Sequence, residues 1–337
     1  MQHTTLGTTD IRIPRLCLGG MSFGKVFPDF HQWVADQPTT QSIIARALEL
    51  GVNFIDTANV YAHGTSEQFI GQSLRNLGVS REDVILASKV YFNEGHLSAA
   101  AITREIEGTL TRLGTDYLDL YIIHRFDYST PPEETMAALD ALVRVGKVRA
   151  LGASAMYGYQ LHNLQALADA NGWTRFCAMQ NHYNALYRED ERELIPVARQ
   201  YSMALTPYSP LASGHLTRPT WDSDSVRSTT DGTMHSKYDR ARELDMPIIE
   251  RVSQVAQARG VPMADVALAW HWAKGVEAPI VGCSRPERVD DAVRALDLHL
   301  TDAEVALIDE PYTAHDVVGA LPPPGTGEAI GSTVQRV

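Results

Sequence analysis

Several features are scarce or missing in this chain, and each absence narrows the field. No apolar run approaches the ~18 residues that a membrane-spanning helix needs. Base is in short supply: 29 Lys and Arg stand against 41 Asp and Glu, a formal net charge of -12. A protein that grips phosphate backbones or anionic lipid needs a basic face, so neither nucleic acid nor membrane is expected as a partner. Cysteine occurs three times, at Cys17, Cys177 and Cys283. These are far apart and form no CxxC, a pattern that fits a reducing cytoplasm. The opening MQHTTLGTTDIRIPRL has no basic stretch followed by an apolar one, so it does not read as a secretory signal. There is no GxGxxG, which argues against a Rossmann dinucleotide loop. There is also no HxH or HExxH, so a zinc hydrolase built on Asp56, His63 and His124 has little support, and no metal is expected.

What the chain has is alternation. Short apolar runs occur at 15–19, 52–56, 84–89, 117–124, 148–154, 176–180, 203–209 and 278–282. Between and after them lie amphipathic stretches near 39–50, 65–76, 98–113, 133–145, 157–171, 189–200, 262–274 and 286–295. Strand–helix alternation implies right-handed βαβ units and a parallel sheet. Eight such units predict a closed (β/α)8 TIM barrel. Thr39 or Thr40 is the expected cap of the first helix, and Ser98 of the third. Residues 1–13 read as an N-terminal β-hairpin turning near Gly7–Asp10 and plugging the barrel bottom. Leu244–Gly260 and Asp302–Asp309 read as two extra helices. Residues 212–246, rich in Ser, Thr, Asp and Gly, read as a long loop on the catalytic face. The expected organisation is one domain over 1–314 and a Pro/Gly-rich tail over 315–337.

Four polar residues sit where those runs end. Asp56, Lys89 and His124 close three consecutive ones, and Tyr61 lies five positions beyond Asp56. In a (β/α)8 barrel the C-terminal strand ends meet at one mouth, which would gather a carboxylate, an ammonium, an imidazole and a phenol. One strand-end Asp or His is ordinarily a cap or a satisfied core group. Four compatible groups at three successive strand ends point instead to a proton-donating site for carbonyl reduction. A phenol titrates near pH ~10, so Lys89 is expected to lower the Tyr61 pKa and Asp56 to keep Lys89 charged. His124 would position the substrate oxygen. Phe23 and Phe92 would line the substrate pocket with Met21 and Val60. Arg125 would either hold a carboxylate or phosphate or pair with Asp127.

On these residues the chain resembles the aldo-keto reductase superfamily. The matching stretches are GVNFIDTANVYAHGTSEQFIGQSLR (51–75), ILASKV (85–90), LGTDYLDLYIIHRFD (113–127), VGKVRALGAS (145–154), MQNHYN (179–184), YSPLASG (208–214) and APIVGCSRPERVDDAV (278–293). NVYAHGTSE, IHRFDYSTPPEET and MQNHYNALYREDERE resemble its bacterial and fungal branch of aryl-alcohol-dehydrogenase-like members. The resemblance implies NADPH/NADP+ as cofactor and a small-molecule carbonyl substrate. It implies Asp56, Tyr61, Lys89 and His124 as a catalytic tetrad, with Tyr61 the general acid. It implies Ser154 and Gln180 at the nicotinamide carboxamide and Tyr208 stacked on the ring. Ser209, Leu211 and Gly214 would run along the pyrophosphate, and Gly20 and Met21 near the ribose, with Asp56 close by. Gly282, Ser284, Arg288 and Asp291 would hold the 2′-phosphate and adenine. GCSRPER follows an apolar run and opens a helix, an arrangement that itself suits an anion, and Arg285 adds charge. Two departures stand out: Ala155 and Ala292 occupy positions where the family commonly carries Asn.

Two further readings rest on the same resemblance. One is a redox-sensing regulatory subunit that binds NADPH. An N-terminal inactivation extension would favour it, and this chain reads almost directly into the hairpin. The other is an enzyme forming 1-deoxyxylulose 5-phosphate, as linked to a bacterial group in this branch.

Overall fold

The structure, a computed structural model, describes residues 1–318. The chain opens with the antiparallel pair β1 (His3–Thr5) and β2 (Arg12–Pro14). Eight strands follow: β3 (Cys17–Gly19), β4 (Phe54–Asp56), β5 (Ile85–Val90), β6 (Leu118–Ile123), β7 (Val148–Ser154), β8 (Phe176–Gln180), β9 (Ala204–Leu205) and β10 (Ile280–Gly282). They form one parallel sheet in the order β10-β3-β4-β5-β6-β7-β8-β9. The amides of Ala278 and Ile280 donate to the carbonyls of Leu205 and Pro207 at 3.2 and 2.9 Å, which ties the last strand to the seventh and closes the ring. This is the (β/α)8 barrel that the alternation predicts.

The helices are α1 (Gln37–Glu49), α2 (Thr65–Asn76), α3 (Ala99–Leu113), α4 (Pro132–Arg144), α5 (Gly158–Asn171), α6 (Leu194–Gln200), α7 (Val226–Thr230), α8 (Gly232–Tyr238), α9 (Arg242–Arg259), α10 (Met263–Ala273), α11 (Glu287–Arg294) and α12 (Asp302–Asp309). α3 shows why they form. Ser98 Oγ accepts from the Ala101 amide, and Gly114 ends the helix at φ 72°. Ile102, Ile106, Leu110 and Leu113 fall on one buried face. α1 departs from expectation. It starts two residues earlier than Thr39, and Asp36 is its cap, accepting from the Thr39 amide at 3.0 Å. Pro38 fits the first turn, where its missing N–H costs nothing.

The core has two layers set by strand alternation. Phe54, Ile85, Ala87, Leu120, Ile122, Ala150, Ala178 and Ala204 point into the barrel, where Leu6, Ile11 and Ile13 of the hairpin close the bottom. Ile55, Leu86, Val90, Tyr121, Ile123, Leu151 and Met179 point outward against the helices. The hairpin turn depends on Gly7. Its φ is +57°, and a Cβ there would lie 2.1 Å from the Cys177 carbonyl oxygen. Gly7→Ala is therefore expected to cost about 1–3 kcal/mol or more, through overpacking and a left-handed backbone. Chemical denaturation measures it, and an unchanged midpoint would mean that the hairpin does not seal the core.

The segment 212–246 is not the structureless loop its composition suggests. It holds α7, α8 and the start of α9, and it buries Trp221, Met234 and Tyr238. Helices of five to seven residues supply one or two apolar anchors each, too few to show as periodicity in sequence. The 189–200 stretch likewise divides into a 3-10 turn at Glu189–Glu191 and the short α6. Of the expected tail, residues 315–318 dock on the barrel. His315 Nε2 pairs with Asp245 at 3.0 Å, and the Tyr187 hydroxyl meets both the amide and the carbonyl of Val318. Residues 319–337 lie outside the described residues.

Candidate active site

Strand alternation delivers the candidate residues to one place. Asp56 is in phase with Phe54, Lys89 with Ile85 and Ala87, and His124 with Leu120 and Ile122, all inward-facing. Ser154 continues the inward set of β7 from Ala150, and Gln180 that of β8 from Ala178; the two are register partners. Each lies at the C-terminal end of its strand, so all converge on the barrel mouth.

Lys89 organises the centre and has no exposed surface. Its Nζ donates to Asp56 Oδ1 at 2.5 Å, to the Thr57 carbonyl at 2.7 Å and to Tyr61 Oη at 3.2 Å. An ammonium has three hydrogens and no lone pair, so these bonds use all of them. The other Asp56 oxygen accepts from Gln180 Nε2 at 2.9 Å. Burial works against the Lys89 charge, but the Asp56 carboxylate, then Tyr61, more than offset it and hold the ammonium above its usual range. Burial pushes the Asp56 carboxyl upward, against the pull of Lys89 and Gln180. The ion pair at 2.5 Å is the arrangement that satisfies both groups.

Tyr61 reaches in from the turn Tyr61–Gly64 after β4. Directly behind it Ala62 and His63 have φ of 45° and 53°, a left-handed backbone that non-glycine residues adopt at a cost. Lys89 does pull the phenol down, but burial outweighs it, and Tyr61 sits above its ordinary value. His124 packs edge-on against Tyr61, with ring centroids 5.8 Å apart. Burial first, then Lys89, Arg125 and Lys237, hold this imidazole far below its usual pKa, so it is neutral. Its buried Nδ1 has no partner among the described residues.

The candidate pocket residues divide. Phe92 packs edge-on to His124 at 5.0 Å and carries Arg125 over its ring at 5.3 Å, so both stand beside the tetrad. Met21 and Val60 are partly exposed. Phe23 is not a pocket residue: it has no exposed surface and belongs to the outer core. The 3-10 turn Gly20–Ser22 diverts the chain before it, and the Phe23 amide closes that turn on the Gly20 carbonyl. His63 turns away to Asp29, so it does not join Asp56 and His124.

The remaining candidates form a path from the mouth to the rim. Tyr208 bridges to His182, whose ring stacks on it at 5.3 Å. Ser209 and Leu211 are partly exposed, and Ser209, Ala212, Ser213 and Gly214 all have positive φ. Ser22 Oγ donates to the Cys283 carbonyl at 3.1 Å, which fixes the Gly20–Met21 turn against the segment after β10. There Gly282, Ser284, Arg285 and Arg288 are exposed, and Asp291 accepts from Arg288 at 3.4 Å. Ala292 is buried in the core, so an amide side chain at that position would point inward rather than at a ligand. Ala155 has φ 44°, a conformation that Asn tolerates better than Ala. It lines a cavity of about 170 Å³ with Asn181, His182, Asp190 and Tyr208. Sequence reasoning missed Lys237, whose Nζ lies 4.6 Å above the Tyr208 ring, and the Thr57 carbonyl.

The model of the Aldo/keto reductase family matches residues 15–313. An aldo-keto reductase of Alternaria alternata is 38% identical, covering 94% of this chain and 93% of that protein. Versiconal hemiacetal acetate reductase of Aspergillus parasiticus is 36% identical, covering 93% and 97%. A Saccharomyces cerevisiae protein, provisionally named an aryl-alcohol dehydrogenase, is 37% identical over the same shares.

Proposed function

The chain belongs to the aldo/keto reductase family, an oxidoreductase family, and on that premise we propose that it reduces aldehydes or ketones to alcohols with NADPH. The observation that carries this reading is the saturated Lys89 ammonium: Asp56 and Thr57 hold two of its hydrogens, and the third is aimed at the Tyr61 oxygen.

The donor set fits a nicotinamide dinucleotide. At one end Ser154, the side-chain oxygen of Gln180, whose amide nitrogen is the atom bonded to Asp56, and the Tyr208 ring would hold the nicotinamide. Along the middle Ser209, Ala212, Ser213 and Gly214 take left-handed φ; the Ala212 and Gly214 amides bond to the Ser209 and Leu211 carbonyls, so the Leu211 and Ser213 amides would be the ones offered to the pyrophosphate. Gly20 and Met21 lie near the ribose on this reading. At the far end Ser284 and Arg288 are exposed ahead of and within α11, and Arg offers phosphate a bidentate fork. When bound, the cofactor supplies a hydride to the carbonyl carbon.

The protein's part is the proton. Because Lys89 can only donate, the Tyr61 oxygen accepts from it, and the phenol's own O–H is left for the substrate oxygen. Neutral His124 offers an N–H donor to the same oxygen. As negative charge grows there, the Tyr61 proton moves onto it, and the phenolate left behind lies 3.2 Å from the ammonium. Asp56 anchors that ammonium, and Gln180 anchors Asp56. The raised resting pKa of Tyr61 keeps the proton in place until the substrate oxygen needs it.

The test is to follow NADPH and NADH oxidation in parallel with a panel of aldehydes. Sustained turnover supports a reductase, whereas a single turnover would favour a sensor. Arg288→Ala is expected to raise the Kd for NADPH roughly tenfold, about one charge-assisted hydrogen bond, and to leave NADH unchanged. Fluorescence titration reads both, and equal loss for the two would remove Arg288 from 2′-phosphate recognition. With Cys17, Cys177 and Cys283 all free and buried, the same reading puts the enzyme in a reducing cytoplasm. No described helix is long and apolar enough to cross a membrane.

A further inference from the structure

Two cations beside the tetrad have no anionic partner among the described residues. Arg125 directly follows His124, and its guanidinium lies over Phe92, which packs on His124. Asp127 is not its partner. One Asp127 oxygen accepts from the Ser129 amide and hydroxyl at 2.8 and 2.6 Å, and the other accepts from the Leu97 amide at 3.1 Å. Lys237, from α8, stands over Tyr208 with no ion pair. Nearby Arg227 is different, because Asp231 neutralises it at 3.1 Å.

Both free cations are only partly exposed. Placing charge there without a counter-charge is costly, and burial, then Arg125, draw the Lys237 ammonium down to about 8. Both lie close to the reacting end of the mouth, Arg125 through Phe92, whose ring packs on His124, and Lys237 through the Tyr208 ring. The candidate 2′-phosphate segment follows β10, whereas Arg125 follows β6, four places away in the eight-strand ring and so opposite it. The anion that Arg125 awaits is therefore not the one that Arg288 would read.

We propose that Arg125 and Lys237 form an anion subsite that holds a carboxylate or phosphate carried by the carbonyl substrate. This rests on the reductase reading, and it narrows the substrate class from aldehydes at large to anionic ones. Arg125 would approach from the Phe92 side, and Lys237, whose place over Tyr208 the nicotinamide would take on the reductase reading, would turn toward it from the insert after β9, leaving the carbonyl against Tyr61 and His124.

The experiment compares matched substrates with NADPH: butanal with succinic semialdehyde, and glyceraldehyde with glyceraldehyde 3-phosphate. The expected result is a kcat/KM at least roughly tenfold higher for the anionic member of one pair, expressed in KM. Which pair responds tells carboxylate from phosphate. Lys237→Gln and Arg125→Gln should each reduce that anionic-to-neutral ratio roughly tenfold. A ratio near unity, with the neutral aldehydes turned over, overturns the subsite and leaves the reductase standing. If no aldehyde is reduced, the reductase reading falls. The subsite is then judged by calorimetric titration of succinate and inorganic phosphate into the full chain. Binding weakened by Lys237→Gln upholds it, and no binding overturns it.

Discussion

Tyr61→Phe should lower kcat/KM for aldehyde reduction by about 10²–10⁴-fold, the range a positioned general acid contributes. The substitution removes one oxygen and keeps the ring, so the edge-on contact with His124 and the packing of the strained Tyr61–Gly64 turn persist. NADPH affinity should stay within about twofold, because the proposed cofactor contacts lie on Ser154, Gln180, Tyr208 and the segment after β10. The loss should fall on kcat rather than on cofactor binding, since proton donation matters only as the transition state forms. Lys89 loses one hydrogen-bond acceptor but keeps Asp56 and the Thr57 carbonyl, so the fold should tolerate the change. Steady-state kinetics with a fluorescence titration of NADPH separates these quantities. A Tyr61→Phe variant as fast as wild type would end the assignment of Tyr61 as the acid and move proton donation to His124 or water.

The parts of this site legible in sequence are those that strand geometry determines. Asp56, Lys89 and His124 stand in the inward phase of short apolar runs, and a period of two carries them to the mouth with no further information. Ser154 and Gln180 share that phase and face each other in register. Phe23 shows the limit. It follows a strand end as the others do, but the Gly20–Ser22 turn rotates it into the core, and no pattern in GGMSF announces a 3-10 turn. The Thr57 carbonyl is a main-chain atom, so no side chain advertises it. Lys237 lies in a stretch whose helices are too short to show periodicity, and only their fold back over Tyr208 brings it to the site. The direction of the Tyr61 shift escapes the sequence for a related reason. Charge can be counted along a chain, but the burial that outweighs it exists only once the barrel has closed.

The second large effect concerns stability as much as catalysis. Lys89→Met should abolish reduction and also cost about 3–5 kcal/mol of stability, the usual result of removing one partner from a buried ion pair. Asp56 would be left nearly without exposed surface, with Gln180 as its remaining donor. Burial already pushes this carboxyl upward with the ammonium in place, and deleting the ammonium removes the main force opposing that push. A carboxyl whose folded-state pKa lies above its unfolded value of ~3.9 takes up a proton on folding. Its contribution is therefore most favourable below that value and is lost as pH rises through the folded-state pKa. The gap in Tm between wild type and Lys89→Met should accordingly widen as pH rises above about 4. Adding Asp56→Asn to the variant removes the stranded charge. It should recover most of the stability at neutral pH and none of the activity, because the ammonium beside Tyr61 is still missing. Thermal denaturation across pH on the three proteins measures this directly. A gap that does not vary with pH would mean that the charge lost with Lys89 was not balancing Asp56, and the pair would have to be redrawn as a neutral hydrogen bond.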